Sequence, residues 1–408
     1  MPLTPRERVL TAIHHQEPDR VPLSLWGSWY GITDRLYFAA LDRLGWEPVP
    51  PFRPDRLHSV NYYDDRLMAR LHIDVRHVDP GAVAATSHPR PDGSDAFGII
   101  WDTSGLYRTA RHHPLEHATV EQIMEHPLPT PDEAVQPDLI RARLREIEAL
   151  GEEYAVIGRA VASYGPFEMA QSLRRHEKFF TDLVLSPEVV EALTSRLFDC
   201  YTAMMLRFLD IAGERLDMLE LPGDDFAGNK NTMISLDMFD RYFKEPYRRM
   251  IARLKAHSPH VKIIFHSDGA MTPFLSRLID IGADIFHPLE PLPVTDFYAV
   301  KAEYGDRLVF MGGIDIREAL QGDPPRVVEE VKTRLHQLGP GGGYILAPSN
   351  HIQWDVPPEN LFLLFDAAVE YGRYPLQFDL PTAAPSPAAD DQSAAQPRRR
   401  RRPRRNSQ

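Results

Sequence analysis

His266, Ser267, Asp268 and Gly269 come directly after residues 261–265, a mostly apolar and partly β-branched run that reads as a buried strand. A helical pattern over 271–281 follows at once. An imidazole and a carboxylate two residues apart at a strand end can chelate one ion if the backbone stays extended. The same pair can instead orient one another or cap the following helix. Strands that end in titratable groups and feed a helix are where α/β enzymes place their chemistry.

Four more strand ends carry the same signature. Asp224 and Asp225 follow 216–221, and His287 and Glu290 follow 284–286. Asp315 follows 308–311 and its Gly312-Gly313, and Asn350 and His351 follow 344–347. Each is flanked by glycine or proline. In a (β/α)8 barrel such ends share one face, and that face is the active site. Asp, His and Glu converging with no lysine point to a metal held by hard or borderline ligands, or to metal-free acid–base work in an anionic pocket. No phosphate-binding glycine loop and no nucleophile-elbow serine is present, so nucleotide binding and serine hydrolysis drop away. His112 and His113 are adjacent and point apart on any regular backbone, so they are not read as ligands.

The elements that position these residues alternate. Thr4-Pro5-Arg6-Glu7 is a capping box that opens a helix through Ile13. The segment 17–22 leads into 23–29, and 46–65 reads as loop. Strands are expected over 71–78, 98–101 and 154–162. Two amphipathic helices follow, the second over 187–212, and Ser235 caps a helix reaching about Ala256. Further helices are expected over 296–304, 324–338 and 359–371. Strand and helix in turn, with short connections, give an α/β chain built on a parallel sheet with crossover helices.

Composition bounds the rest. With 408 residues, 43% hydrophobic and 25% charged, the chain reads as soluble and globular. The net charge of −12 hides an asymmetry, because seven arginines crowd the last eleven residues. Taking those seven from 46 leaves 39 basic against 58 acidic residues, a body of net −19 that does not suit nucleic acid. From 376 to 408 the composition is that of a disordered Pro/Ala/Arg-rich tail, after one domain over 1–375. A single cysteine, Cys200, in a helical pattern reads as a small buried apolar residue. There is no membrane-spanning run and no signal-peptide pattern, so a cytoplasmic protein is expected.

The motifs together resemble the uroporphyrinogen decarboxylase superfamily. They are Thr4-Pro-Arg-Glu-Arg-Val-Leu with Glu17-Pro-Asp-Arg-Val-Pro22, Gly223-Asp-Asp-Phe with Ser235-Leu-Asp-Met-Phe, Gly312-Gly-Ile-Asp315, and Pro348 through Pro357-Pro-Glu-Asn360. The resemblance covers roughly 4–375 and implies a single (β/α)8 TIM barrel. Its members divide into tetrapyrrole decarboxylases and methyltransferases that work with corrinoid proteins or thiols. The decarboxylases carry Arg-Gln-Ala-Gly-Arg-Tyr near the N-terminus. Here the stretch after Pro22 reads Leu-Ser-Leu-Trp-Gly-Ser-Trp, without the arginines a polyanionic substrate needs. Zinc-dependent members carry His-x-Cys where this chain has His266-Ser-Asp268, and Pro-Gly-Cys where it has Pro348-Ser349-Asn350.

The resemblance therefore implies a methyltransferase acting between a small methylated substrate and a corrinoid protein. His266, Asp268 and Asn350 would hold a divalent metal, zinc or a harder ion. Asp225, His266, Glu290 and His351 would be catalytic, with His266 and Asp268 binding the metal or polarising the substrate, and Asp224, His287, Asp315 and Trp26 would contact substrate. The alternative is metal-free decarboxylation of a tetrapyrrole-like acid, with Asp225 ordering substrate N–H groups and His351 donating the proton. A third reading is a barrel that binds a ligand without catalysis.

Overall fold

A computed structural model describes residues 2–25, 27, 31–51, 60–62, 64–81, 90–102 and 109–378. Among these the chain forms nine strands. They are β1 (Val75–Val78), β2 (Ile100–Asp102), β3 (Thr109–His112), β4 (Ala155–Gly158), β5 (Met218–Glu220), β6 (Lys262–His266), β7 (Ile285–Leu289), β8 (Val309–Ile314) and β9 (Tyr344–Pro348). Seven of them, β1 and β4 to β9, lie parallel in sequence order. Nearly every residue of these seven is buried, as expected for strands covered on both faces.

The crossovers are helical. Pro166–Arg174, His176–Leu185 and Pro187–Ala212 connect β4 to β5. Leu236–Phe239, a π-helical Asp240–Lys244 and Glu245–His257 connect β5 to β6, with Ser235 capping as expected. Leu275–Ile281, Phe297–Tyr304 and Pro324–Leu338 serve the next three, and Pro358–Tyr371 follows β9. The Thr4 capping box forms, with Thr4 and Glu7 satisfying each other's backbone amides.

Seven strands are found where eight were expected. The two outer strands of the sheet are joined instead by residues 22–24. Ser24 N–H donates to Leu346 O (3.0 Å), Leu346 N–H to Pro22 O (3.0 Å) and Asp74 N–H to Leu23 O (2.9 Å). This stretch forms an isolated bridge rather than a ladder for two reasons. Pro22 has no N–H to give, and the Leu23 N–H is taken by the Asp74 carboxylate at 2.8 Å. Arg8 and Arg20 hold that carboxylate at 2.7 and 2.8 Å.

Other expectations shift. The first half of 71–78 is the C-cap of a helix, Asp65–Arg70, and the turn that follows it. The strand near 100 pairs antiparallel with β3, outside the main sheet. Helices Asp34–Leu44 and Pro137–Glu148 were not anticipated. Residues 2–378 belong to one compact unit, and Leu376 and Phe378 still pack against its core. The expected tail beyond Phe378 lies outside the described residues. Among the described residues no helix is long and apolar enough to cross a membrane.

Candidate active site

Strand register brings the key side chains onto one face. His266 on β6 is the register partner of His287 on β7, and Ile264, two residues earlier, is the partner of Glu220 on β5. Residues i and i+2 share a face, so Glu220, His266 and His287 all face the same way. The two imidazoles meet Nδ1 to Nδ1 at 3.0 Å, and His287 Nδ1 lies 3.7 Å from Glu220 Oε1. The other ring nitrogen of His266, Nε2, lies 3.7 Å from Asp268 Oδ1.

The loop after β6 is fixed by side chains from its neighbours. Asp268 N–H donates to Asp225 Oδ1 at 2.7 Å, and Gly269 N–H donates to Glu290 Oε1 at 2.7 Å. Gly269 has φ +94°, and a Cβ there would come within 2.4 Å of the Ala227 carbonyl oxygen, so only glycine fits. Asn350 Nδ2 donates to Asp268 Oδ2 at 2.9 Å, and Asn350 Oδ1 accepts from His351 N–H at 2.8 Å. Asp268 Oδ1 is buried and has no hydrogen-bond partner among the described residues. It forms, with Asp225 and His266, a trio whose ligand atoms lie within 4.8 Å of one another.

Electrostatics follow from crowding carboxylates in a dry site. Burial pushes the Asp268 carboxyl up to about 7, helped by Asp225 and Glu290 and opposed by His266. Burial, then Asp225 and Asp224, holds Glu168 well above the usual carboxylate range. Glu290 is raised mainly by burial. For His266, burial alone would lower the pKa, but Asp268, Glu220, Asp225 and Glu290 outweigh it and the value is raised. His287 falls well below the usual imidazole value, through burial and then His266 and His351.

The expected site residues therefore divide. Asp225, His266, Asp268, His287, Glu290, Asn350 and His351 come together. Asp224 turns away and is fully buried; its oxygens accept from Phe167 N–H (2.9 Å), Glu168 N–H (2.8 Å) and Tyr247 O–H (2.5 Å). It thus caps the helix Pro166–Arg174. Asp315 accepts from the amides of Arg317, Glu318 and Ala319 and shapes its own turn. Arg317 lies 3.7 Å from both Asp315 and Glu290. Trp26 lies outside the described residues. Three residues were missed: Glu220, a lone acid in an apolar strand; Glu168, one turn into a helix; and Gly27. A Cβ on Gly27 would meet Glu220 Oε1 at 2.4 Å and His287 Nδ1 at 2.8 Å.

The family described as Uroporphyrinogen decarboxylase (URO-D) matches residues 111–371, well over half of the 408. The chain belongs to that family. A uroporphyrinogen decarboxylase of Psychromonas ingrahamii is 39% identical over 75 residues, 18% of this chain and 21% of that one. The match thus spans about a fifth of that relative's length. One of Methylococcus capsulatus is 25% identical over 253 residues, 60% of this chain and 68% of that one. Among solved structures, a methyltransferase from Methanosarcina mazei superposes with a TM-score of 0.62 at 20% identity, covering 90% of this chain and 99% of that one. That likeness concerns the fold, an α/β architecture with a curled parallel sheet.

Proposed function

We propose that this chain is a URO-D-family methyltransferase that moves a methyl group from a small, uncharged or cationic substrate to a corrinoid on a partner protein. The observation that carries the reading is the buried Asp268 Oδ1, a carboxyl oxygen with no hydrogen bond among the described residues, facing His266 Nε2 beside Asp225. A buried carboxylate oxygen without a donor is costly, and a cation relieves it. One imidazole and two carboxylates suit zinc or a harder divalent ion. Such an ion, when bound, would draw electron density from the heteroatom that carries the methyl group.

The chain's own residues do the remaining work. Asn350 fixes the orientation of the Asp268 carboxylate, and Glu290 fixes the loop at Gly269. Glu168, its carboxyl raised well above the usual range by burial and then Asp225, gives its proton to the demethylated heteroatom as the methyl group leaves. Residues 22–24 act as an eighth stave, so that the sheet closes as a (β/α)8 barrel. The protein is taken to work in the cytoplasm, with no nucleic acid or membrane as partner.

Metal-free decarboxylation of a tetrapyrrole-like acid is the second reading, favoured by the names of the curated relatives. The four acids that act on His266, namely Asp268, Glu220, Asp225 and Glu290, oppose it, since a site crowded with carboxylates disfavours a polycarboxylate. The test is incubation with methoxylated or N-methylated small molecules and free cob(I)alamin, for wild type and Asp268→Asn. Methylcobalamin formation that needs both a divalent ion and Asp268 is expected. Carboxyl loss from uroporphyrinogen without added metal would overturn the proposal.

A further inference from the structure

His266 has two working edges, and the outer trio uses one. The other faces inward, where Glu220 and His287 are 2% and 0% exposed. Three adjacent strands supply these side chains in register, so their convergence is imposed by the sheet rather than by a loop. Their ligand atoms lie within 4.8 Å of one another. Ligands about 2.0–2.2 Å from a tetrahedral ion stand roughly 3.4 Å apart. The two measured separations here, 3.0 Å between the Nδ1 atoms and 3.7 Å from His287 Nδ1 to Glu220 Oε1, bracket that value.

Gly27 adds an independent observation. The point where its Cβ would stand is 2.4 Å from Glu220 Oε1, 2.8 Å from His287 Nδ1 and 2.9 Å from His287 Cε1, too close for a side chain. Any other residue would press on Glu220 and His287; glycine leaves both side chains room to close on an ion. His77 Nε2 pairs with the Gly27 carbonyl oxygen at 2.8 Å and holds the backbone there.

We propose that Glu220, His266 Nδ1 and His287 Nδ1 form a second divalent-metal site, enclosed on the inner side of His266 and separate from the Asp225–Asp268 edge. Two imidazoles and one carboxylate select a first-row transition ion of the zinc or iron(II) kind over magnesium or calcium. The site shares His266 with the proposed function, yet it stands whether or not the outer trio binds an ion.

Metal-stripped full-length protein loaded with one equivalent of zinc tests this by X-ray absorption at the zinc edge. Two imidazole ligands are expected in wild type and in Asp225→Asn/Asp268→Asn, because the outer edge is not used. In His287→Asn the count falls to at most one. Glu220→Gln and His287→Asn are expected to bind zinc more than about tenfold more weakly in a competition titration with a chelator. Magnesium does not compete. Circular dichroism and melting of the metal-free variants establish that they fold. If His287→Asn does not fold, the imidazole count in wild type and the double variant decides. A single imidazole in the double variant, or wild-type affinity in both Glu220→Gln and His287→Asn, would leave a hydrogen-bonded polar cluster and overturn the site. Zinc lost in the double variant alone would also overturn it, while supporting the outer trio.

Discussion

Replacing Asp224 with alanine distinguishes a helix cap from a substrate contact. The carboxylate takes two amide protons from the first turn of Pro166–Arg174 and the hydroxyl proton of Tyr247. Each of the three stranded donors costs about 1–3 kcal/mol, so a loss of roughly 3–9 kcal/mol is expected. Burial of the carboxylate works the other way, pushing its pKa from 3.8 up to about 7. Between those two values the unfolded chain releases the proton and the folded chain keeps it. Wild-type stability from this group is therefore full below pH 3.8 and falls as pH rises toward 7. At about 1.4 kcal/mol per pH unit, the decline is roughly 4 kcal/mol. Alanine has nothing to titrate. Urea unfolding, followed by tryptophan fluorescence from pH 4.5 to 7.5, should show the widest gap between wild type and Asp224→Ala at the acid end, closing with pH. A gap that stays constant or widens would refute the burial of an ionisable cap.

Gly27→Ala puts a methyl group 2.4 Å from Glu220 Oε1, and overpacking of this kind lowers stability by about 1–3 kcal/mol. An unchanged melting temperature would sink that expectation. Asn350→Ala removes the 2.9 Å hydrogen bond that orients Asp268, and zinc titration should show roughly tenfold weaker binding at the outer trio. Equal affinity would mean that Asp268 needs no orienting partner. Burial pushes the Lys301 amine down to about 8 from 10.5. Between those values the unfolded chain binds the proton and the folded chain does not, so stability rises with pH across that window. Melting temperatures from pH 7.5 to 10.5 should show this rise in wild type and a flat profile in Lys301→Met.

Much of the architecture was legible because its signals are local. The helix over 187–212 was read residue for residue, and β6 to β9 were placed within a residue or two at their starts. Apolar runs bounded by glycine and proline announce buried parallel strands. The convergence of Asp225, His266, Asp268, Glu290 and Asn350 was also readable, since strand ends of a curled parallel sheet gather on one side. Register was not readable. It decides that Glu220, inside an apolar run, belongs to the site. Asp224 and Asp225 look alike in sequence, yet successive residues point in different directions, and one caps a helix while the other holds the loop at Asp268. The stretch 22–24 gave no strand signal of its own, because proline withholds a donor and a side chain takes the next amide.

That stretch has a consequence for motion. Six of the sheet's junctions are fastened by backbone ladders, whose strength barely responds to salt. The seam at 22–24 has three backbone hydrogen bonds and, on its β1 side, the buried Asp74 carboxylate clasped by Arg8 and Arg20. With so few backbone bonds to break, this seam is the joint of the sheet that opens first, and amide hydrogen exchange at Leu23 and Ser24 should outpace that of β6 to β9.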